Sequence, residues 1–518
     1  MKMLEDTKEM EIYLGTETKL RPVVFLDNIF IKKGEPYQVS SAEYTYGRLS
    51  ATGLFKFLRI DFEEDTTGQS PLLNTYITFS RMPVHSLSFE IYGTHRGGNL
   101  GFQLNTNYTN LNLFRGSEKM NISIAGGLEV QRTKIKEERL IEAKGIVRDL
   151  LPFNAFEISP QLSLTVPRLI APRNLYNLVR RYPSMTTFAV KYNFLKTPDY
   201  IRSSLTGYLN YSYQTSMQIT HNLRLLEINF LKMLDMSEAF KQALEKQNPL
   251  YRKSFTDVFI QSTGYTVNYF KKRGRELFNT QGISFTFEVA GLPIYIYHTY
   301  IEKPASHPYK ILNTIYSTYI KTSLEMKWYY TLTKRTASAY RIILGVGYPF
   351  GNLQVLPFEK AFSAGGTNSL RAWLEKTVGP GGTPDSIKIR NNFYQYGDIY
   401  LESNLEYRFD LFGSFKMAIF GDAGNVWLIR KDTTRPSATL STSSYRDLYL
   451  STGLGLRWDF TFFVLRFDLG IRIYDPSLPD NEKWIFQKKT QYKQYRKLFN
   501  KPTSYDYVKL NFAIGYPF

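Results

Sequence analysis

The chain of 518 residues reads as an all-β protein. The expected fold is a membrane-spanning barrel of about sixteen antiparallel strands behind a small α/β unit. Three observations predict it. The last segment, Tyr507 to Phe518, alternates without a break: Val508, Leu510, Phe512, Ile514, Tyr516 and Phe518 are apolar, while Lys509, Asn511, Ala513 and Gly515 are polar or small. Successive strand side chains point to opposite faces, so this strand is apolar on one side only and closes on an aromatic, as a lipid-facing strand does at the membrane boundary. The same period-two pattern recurs along most of the chain. Finally, no apolar run reaches the roughly eighteen residues of a spanning helix, and a mean hydropathy of −0.30 suits a barrel, in which only alternate residues meet lipid.

Composition narrows the function. The 39 Tyr and 37 Phe would furnish girdles at both water–lipid boundaries, although a Tyr-rich soluble β protein that binds carbohydrate has the same make-up. There is no cysteine, which removes disulfides and thiolate metal sites. The five histidines (His85, His95, His221, His298, His307) lack metal spacing, and no nucleophile–base set is visible. Neither cofactor, metal nor enzymatic chemistry is therefore expected. The net charge of +19 is spread along the chain in small clusters such as Lys271, Lys272 and Arg273. That spread argues against a nucleic-acid partner and suits solvated loops or the phosphates of outer-membrane lipid and lipopolysaccharide.

From the N-terminus, residues 1–15 contain no apolar leader core, so a mature or truncated chain is expected. After the charged segment Glu5 to Glu11, an apolar run from Val23 to Ile31 leads to Gly34. Ser40 and Ser41 then offer a cap for a helix through Tyr44, Leu49 and Thr52, ended by Gly53. Strands are expected over Leu54–Phe62 and Leu73–Phe79. Residues 1–83 thus form the α/β unit and 84–518 the barrel.

In the barrel, Leu87, Phe89 and Ile91 alternate with Ser86, Ser88 and Glu90, and comparable runs continue to the C-terminus. Connections alternate in length: Leu411–Gly413 and Asp459–Thr461 are tight, whereas Arg430–Tyr445 and Asp475–Ser504 are long, the habit of barrels with short turns in the periplasm. One loop carries a helix over Ser237–Lys246, with Phe240 and Leu244 on one face. Opposite the lipid face stand Asp398, Glu402, Asn404, Glu406 and Arg408, then Lys416 and Asp422, then Arg457, Arg466, Asp468 and Arg472. A packed soluble core would reject these charges; a polar lumen accepts them.

The connection 351–396 is rich in glycine. It holds Gly365-Gly366, then Leu370-Arg371-Ala372-Trp373, then Gly379-Pro380. Glycine pairs allow tight reversal, so the loop can fold back into the lumen and carry Arg371 inward. There the guanidinium needs carboxylates, and Glu406 and Asp422 on the next two strands can supply them. A phosphate loop is the weaker reading, because no GK[ST] follows.

These motifs resemble the BamA/TamA-type outer-membrane assembly barrels, the bacterial surface antigen family, and within it the TamL-like lipoprotein branch. The likeness runs from about residue 22 to Phe518. It includes the glycine pair with Leu370-Arg371-Ala372-Trp373, then Gly397-Asp398, Leu405-Glu406 and the stretch Phe420 to Trp427. Ala372 replaces the family's glycine, which would strain a position needing positive φ. The resemblance implies that Arg371 sits in the lumen against Glu406 and Asp422, and that the α/β unit is an incomplete POTRA-like periplasmic domain. The lipidated cysteine of that branch is absent, so an N-terminal portion is expected to be missing.

The implied setting is the outer membrane of a Gram-negative bacterium. Client outer-membrane or surface polypeptides would be inserted or exported, with a TamB-like periplasm-spanning partner. The first strand (Leu87, Phe89, Ile91) should meet the last (Phe512, Gly515, Pro517, Phe518) at a weak seam. Pro517 lacks a donor and Gly515 lacks a side chain, so an incoming strand could pair there. Arg371 would brace the wall opposite that seam. A passive outer-membrane channel or porin is the alternative.

Overall fold

The computed structural model describes residues 2–6, 11–14, 20–65, 72–96, 99–130, 153–172, 174, 179–245, 252–273, 279–304, 307–391, 395–460, 463–498 and 506–518. Parts of five expected features lie outside them: the middle of Glu5–Glu11, Lys246 of the loop helix, residues 392–394 of the glycine-rich connection, Thr461 of the Asp459–Thr461 turn, and the end of the Asp475–Ser504 connection.

The N-terminal unit opens with a hairpin of β1 (Lys2–Asp6) and β2 (Glu11–Leu14). Helices α1 (Val23–Leu26) and α2 (Val39–Ala51) follow, then a hairpin of β3 (Phe55–Asp65) and β4 (Leu72–Arg81). Neither Ser40 nor Ser41 caps α2. The helix begins earlier, behind an extended Gln38 that makes no side-chain cap, and Ser41 instead offers its carbonyl to Thr45 Oγ1 at 2.7 Å. Gly53, at φ +70°, turns the chain out of the helix. Val24, Phe25, Leu49 and Leu54 form a small core with Phe55 and Phe79. The unit is tied to barrel connections: Arg48 Nη1 donates to the Tyr182 carbonyl at 3.0 Å and Ser184 Oγ at 3.2 Å, and Arg21 N donates to the Arg115 carbonyl at 2.8 Å.

The barrel strands are β5 (His85–Arg96), β6 (Asn99–Asn110), β7 (Lys119–Val130), β8 (Ala155–Val166), β9 (Ser184–Lys196), β10 (Tyr200–Ser216), β11 (Ile219–Met236), β12 (Val258–Arg273) and β13 (Asn279–Ala290). A two-residue pair, β14 (Lys310–Ile311) and β15 (Thr314–Ile315), sits in the next connection. Then come β16 (Tyr319–Thr333), β17 (Thr336–Pro349), β18 (Ile399–Phe412), β19 (Phe415–Trp427), β20 (Tyr449–Asp459), β21 (Val464–Tyr474) and β22 (Val508–Ile514). Together they make one 16-stranded antiparallel sheet in sequence order. Burial follows the pleat. In β20, Tyr449, Ser451, Gly453, Gly455 and Arg457 are buried while Leu454, Leu456 and Trp458 are exposed. The exposed row is apolar because it meets lipid, and the inward row is polar because it meets the lumen.

The seam departs from expectation in two ways. First, β5 and β22 are the two ends of the sheet, and no ladder joins them among the described residues. Leu87, Phe89 and Ile91 are accordingly 60%, 66% and 77% exposed, whereas Ile283, Phe285 and Phe287 on the interior strand β13 are near 40% (38%, 41% and 39%). Second, the alternation does not continue to Phe518. Strand β22 ends at Ile514, and Gly515, at φ +82°, turns the chain. The Tyr516 ring then lies 4.2 Å from the Arg408 guanidinium, and the Phe518 ring 5.0 Å from that of Arg341. Both arginines project from the lumen side, so the last residues turn inward and Pro517 is buried. A left-handed glycine permits the turn, and stacking on guanidinium planes rewards it.

Candidate functional site

The connection between β17 and β18 folds into the barrel. Gly365 and Gly366 hold φ of +102° and +109°, and a Cβ on Gly365 would collide with the Leu374 carbonyl. The reversal is closed by Gly366 N donating to the Trp373 carbonyl at 3.1 Å and Trp373 N to the Leu370 carbonyl at 3.1 Å. Leu370, Arg371, Ala372 and Trp373 are all buried, the apolar members packing with Val378, Val426 and Tyr449. Ala372 has no positive φ, so the alanine sits without the backbone strain expected of it. The close approach is supplied from the wall: a Cβ on Gly470 of β21 would lie 2.9 Å from Ala372 N and the Arg371 carbonyl.

The structure brings Arg371 together with Glu406 and Asp422. Its Nε and Nη2 fork onto the two oxygens of Asp422 at 3.0 and 2.8 Å, and Nη1 reaches Glu406 at 3.1 Å. The guanidinium carbon lies 3.4 Å from the centre of the Phe420 ring. Glu406 also receives Arg457 Nη2 at 2.9 Å and Arg408 Nε at 3.1 Å. Arg457 continues to Asp468 at 2.6 Å, which pairs with Arg466 at 3.0 Å. A desolvated guanidinium is costly alone, and this network neutralises it within hydrogen-bond reach.

The loop tip is held by the strands beside the seam rather than by the wall opposite it. Asn511 of β22 donates to the Arg371 carbonyl at 2.7 Å, and Arg472 of β21 donates to that of Ala372 at 3.1 Å. Arg466 Nη2 donates to the Thr367 carbonyl at 2.8 Å. Of the expected seam residues, Phe512 lies on β22 against Phe467, while Leu87, Phe89 and Ile91 face outward on β5.

Sequence reasoning missed a second attachment. Glu359 pairs with Arg202 of β10, and Lys360 Nζ lies 2.8 Å from Glu288 of β13 and 3.4 Å from Glu227 of β11. Lys321 of β16 donates to the Lys360 carbonyl at 2.7 Å, and Phe358 stacks on Phe255 at 4.8 Å. The loop is therefore fixed at 358–360 to one wall and at 366–373 to the other, as a strap across the lumen. A third tie joins them: Arg341 of β17 donates to the Asn368 carbonyl and Glu402, both at 2.6 Å. Inward glycines let the strap lie close, since a Cβ on Gly345 would strike the Phe362 ring. The signal for Arg341 was present in the chain, a lone charge on the inward face of β17 beside Gly345 and Gly347.

Among the described residues no group of three or more His, Asp or Glu converges to hold a metal. His85, His221 and His298 each face a tyrosine hydroxyl instead.

A single-chain antiparallel barrel of sixteen strands, with a charged lumen crossed by its own loop, is an outer-membrane barrel, and the family its sequence matches places it in the polypeptide insertion and translocation class. The chain belongs to the Omp85 superfamily, whose domain matches residues 161–518. Among solved structures it is similar to BamA from Haemophilus ducreyi lacking POTRA domains 1-3, at 13% identity and a TM-score of 0.57 over 88% of this chain and 80% of that one. It is also similar to CdiB from Acinetobacter baumannii, at 12% identity and 0.50 over 96% and 72%. CdiB from Escherichia coli matches at 12% and 0.50 over 95% and 73%. At these identities the likeness is one of fold.

Proposed function

We propose that this barrel is a non-enzymatic assembly factor that inserts or exports client outer-membrane or surface polypeptides through the seam between β5 and β22. The observation that carries the reading is that, among the described residues, no ladder joins β5 to β22, the two ends of the sheet. A strand at the end of a sheet is where an incoming strand can add to it, and the inward turn at Gly515 shortens β22. The α/β unit ahead of the barrel supports insertion over passive passage of solutes, because a solute pore needs no such unit to receive a chain. The N-terminal unit, POTRA-like, faces the periplasm in this reading and receives clients there, alongside a TamB-like periplasm-spanning partner. Lipid and lipopolysaccharide surround the barrel.

Because the chain has no cysteine, a variant with Phe89→Cys and Leu510→Cys carries two unique thiols, one on each edge. Bridging them with a short thiol crosslinker is expected to stop client assembly, and a reducible linker should restore it on reduction. Unchanged client levels in the bridged protein would overturn the seam mechanism.

A further inference from the structure

Strand β13 runs directly into a helical segment, Leu292–Ile296 and then Tyr297–Glu302, at the long-loop end of the barrel. Its two sides differ. One is pinned to the protein: His298 is buried against the Tyr316 hydroxyl at 3.1 Å, Gly291 N donates to the Gln261 carbonyl at 2.7 Å, and Tyr295 packs near Tyr309 and Phe350. The other side is bare. Leu292, Ile296, Tyr297, Tyr300 and Ile301 are all exposed, Tyr300 by 72% and Ile301 by 69%. Spacings of four, five, eight and nine residues from Leu292 put them on one half of the helix, and the first charge, Glu302, comes only at its end.

This face is continuous with the lipid-facing wall. Val289 on β13 is registered with Ile320 on β16, which is registered with Tyr348 on β17, an outward row one turn of chain below the helix. Leu292 follows Val289 by three residues, a reach of at most about 10 Å. A helix that leaves the apolar belt so soon, with tyrosines and isoleucines outward and its polar side on the protein, meets the headgroup–acyl boundary.

We infer that Leu292–Glu302 is an interfacial anchor that lays Leu292, Ile296, Tyr297, Tyr300 and Ile301 into the lipid at the long-loop rim of the wall formed by β13 and β16. The occupant is lipid, the acyl-chain edge of the leaflet that this rim meets. The claim needs the barrel in its membrane and is independent of the seam mechanism.

The missing cysteines make the test direct. The full chain with Ile301→Cys is labelled with a polarity-sensitive fluorophore and reconstituted in phosphatidylcholine vesicles. A Lys310→Cys label on the exposed β14 serves as the aqueous control. The expected result for position 301 is blue-shifted emission, quenching by bromine carried on the acyl chains, and iodide quenching several-fold weaker than at position 310. Iodide quenching equal to the control would overturn the inference. So would protection from iodide without acyl-chain quenching, which would mean that the face is covered by protein. A Tyr300→Cys label repeats the reading if the first variant fails to reconstitute.

Discussion

Replacing Arg371 by alanine tests the loop's inner attachment, and the two carboxylates should respond unequally. Glu406 receives three guanidiniums and keeps Arg457 and Arg408 when Arg371 is lost. Asp422 receives one guanidinium through two bonds and, among the described residues, keeps the Asn404 amide at 3.0 Å and the backbone N of residue 371. Arg371→Ala therefore leaves Asp422 as a buried, unpaired charge, a loss of about 3–5 kcal/mol. Adding Asp422→Asn removes that orphan and should recover about 2 kcal/mol as coupling energy. Adding Glu406→Gln should recover almost nothing, since Arg408 would then lose its carboxylate and Arg457 would keep only Asp468. The assay is reversible urea unfolding in lipid vesicles followed by tryptophan fluorescence, in which Trp373 lies two residues from the change. Equal recovery by both second substitutions, or none by Asp422→Asn, would refute the assignment of Asp422 as the dominant partner. Under the proposed function, Arg371→Ala should also lower client levels while the barrel stays in the membrane.

Two further outcomes follow from the same geometry. Lys360→Ala unties the strap from β11 and β13 while leaving Arg371 in place, so single-channel conductance in planar bilayers should rise; unchanged conductance and unchanged protease resistance of residues 351–362 would count against a two-wall strap. Gly515→Ala meets open space at its Cβ but carries the cost of a left-handed backbone, about 1–2 kcal/mol. A unique Phe518→Cys thiol should then react faster with a bulky aqueous reagent than it does with Gly515 intact.

The wall was legible because lipid and lumen impose opposite chemistry on alternate residues, so Leu454, Leu456 and Trp458 declare one face and Arg457 and Arg466 the other. The contacts of Arg371 were legible mainly through the family resemblance, since Asp398, Glu402, Glu406 and Asp422 all stand on the inward faces of the next two strands and the shared motif selects Glu406 and Asp422 among them. Attachment to the opposite wall was not legible. Glu359 and Lys360 meet Arg202, Glu227 and Glu288, residues 72 to 157 positions away that only barrel closure brings near. The end of the chain misled for a different reason. Tyr516 and Phe518 fit the lipid pattern, yet one glycine with φ above zero and two arginines across the lumen outweigh it. The serines in the first turn of α2 failed similarly, because a capping residue type does not fix where the backbone leaves the extended region.

The strap also sets a limit on how far the cylinder can swell. Each strand accepted at the seam lengthens the hoop by about 4.8 Å and widens the bore by about 1.5 Å. A crosspiece fastened at Lys360 and again at Arg371 has little slack to follow. Growth of the hoop must therefore load one fastening until it lets go, and the lysine end, whose ion pairs are less deeply buried than those of Arg371, is the end that should yield. The loop would then act as a gauge of cargo, swinging free only once enough strands have entered.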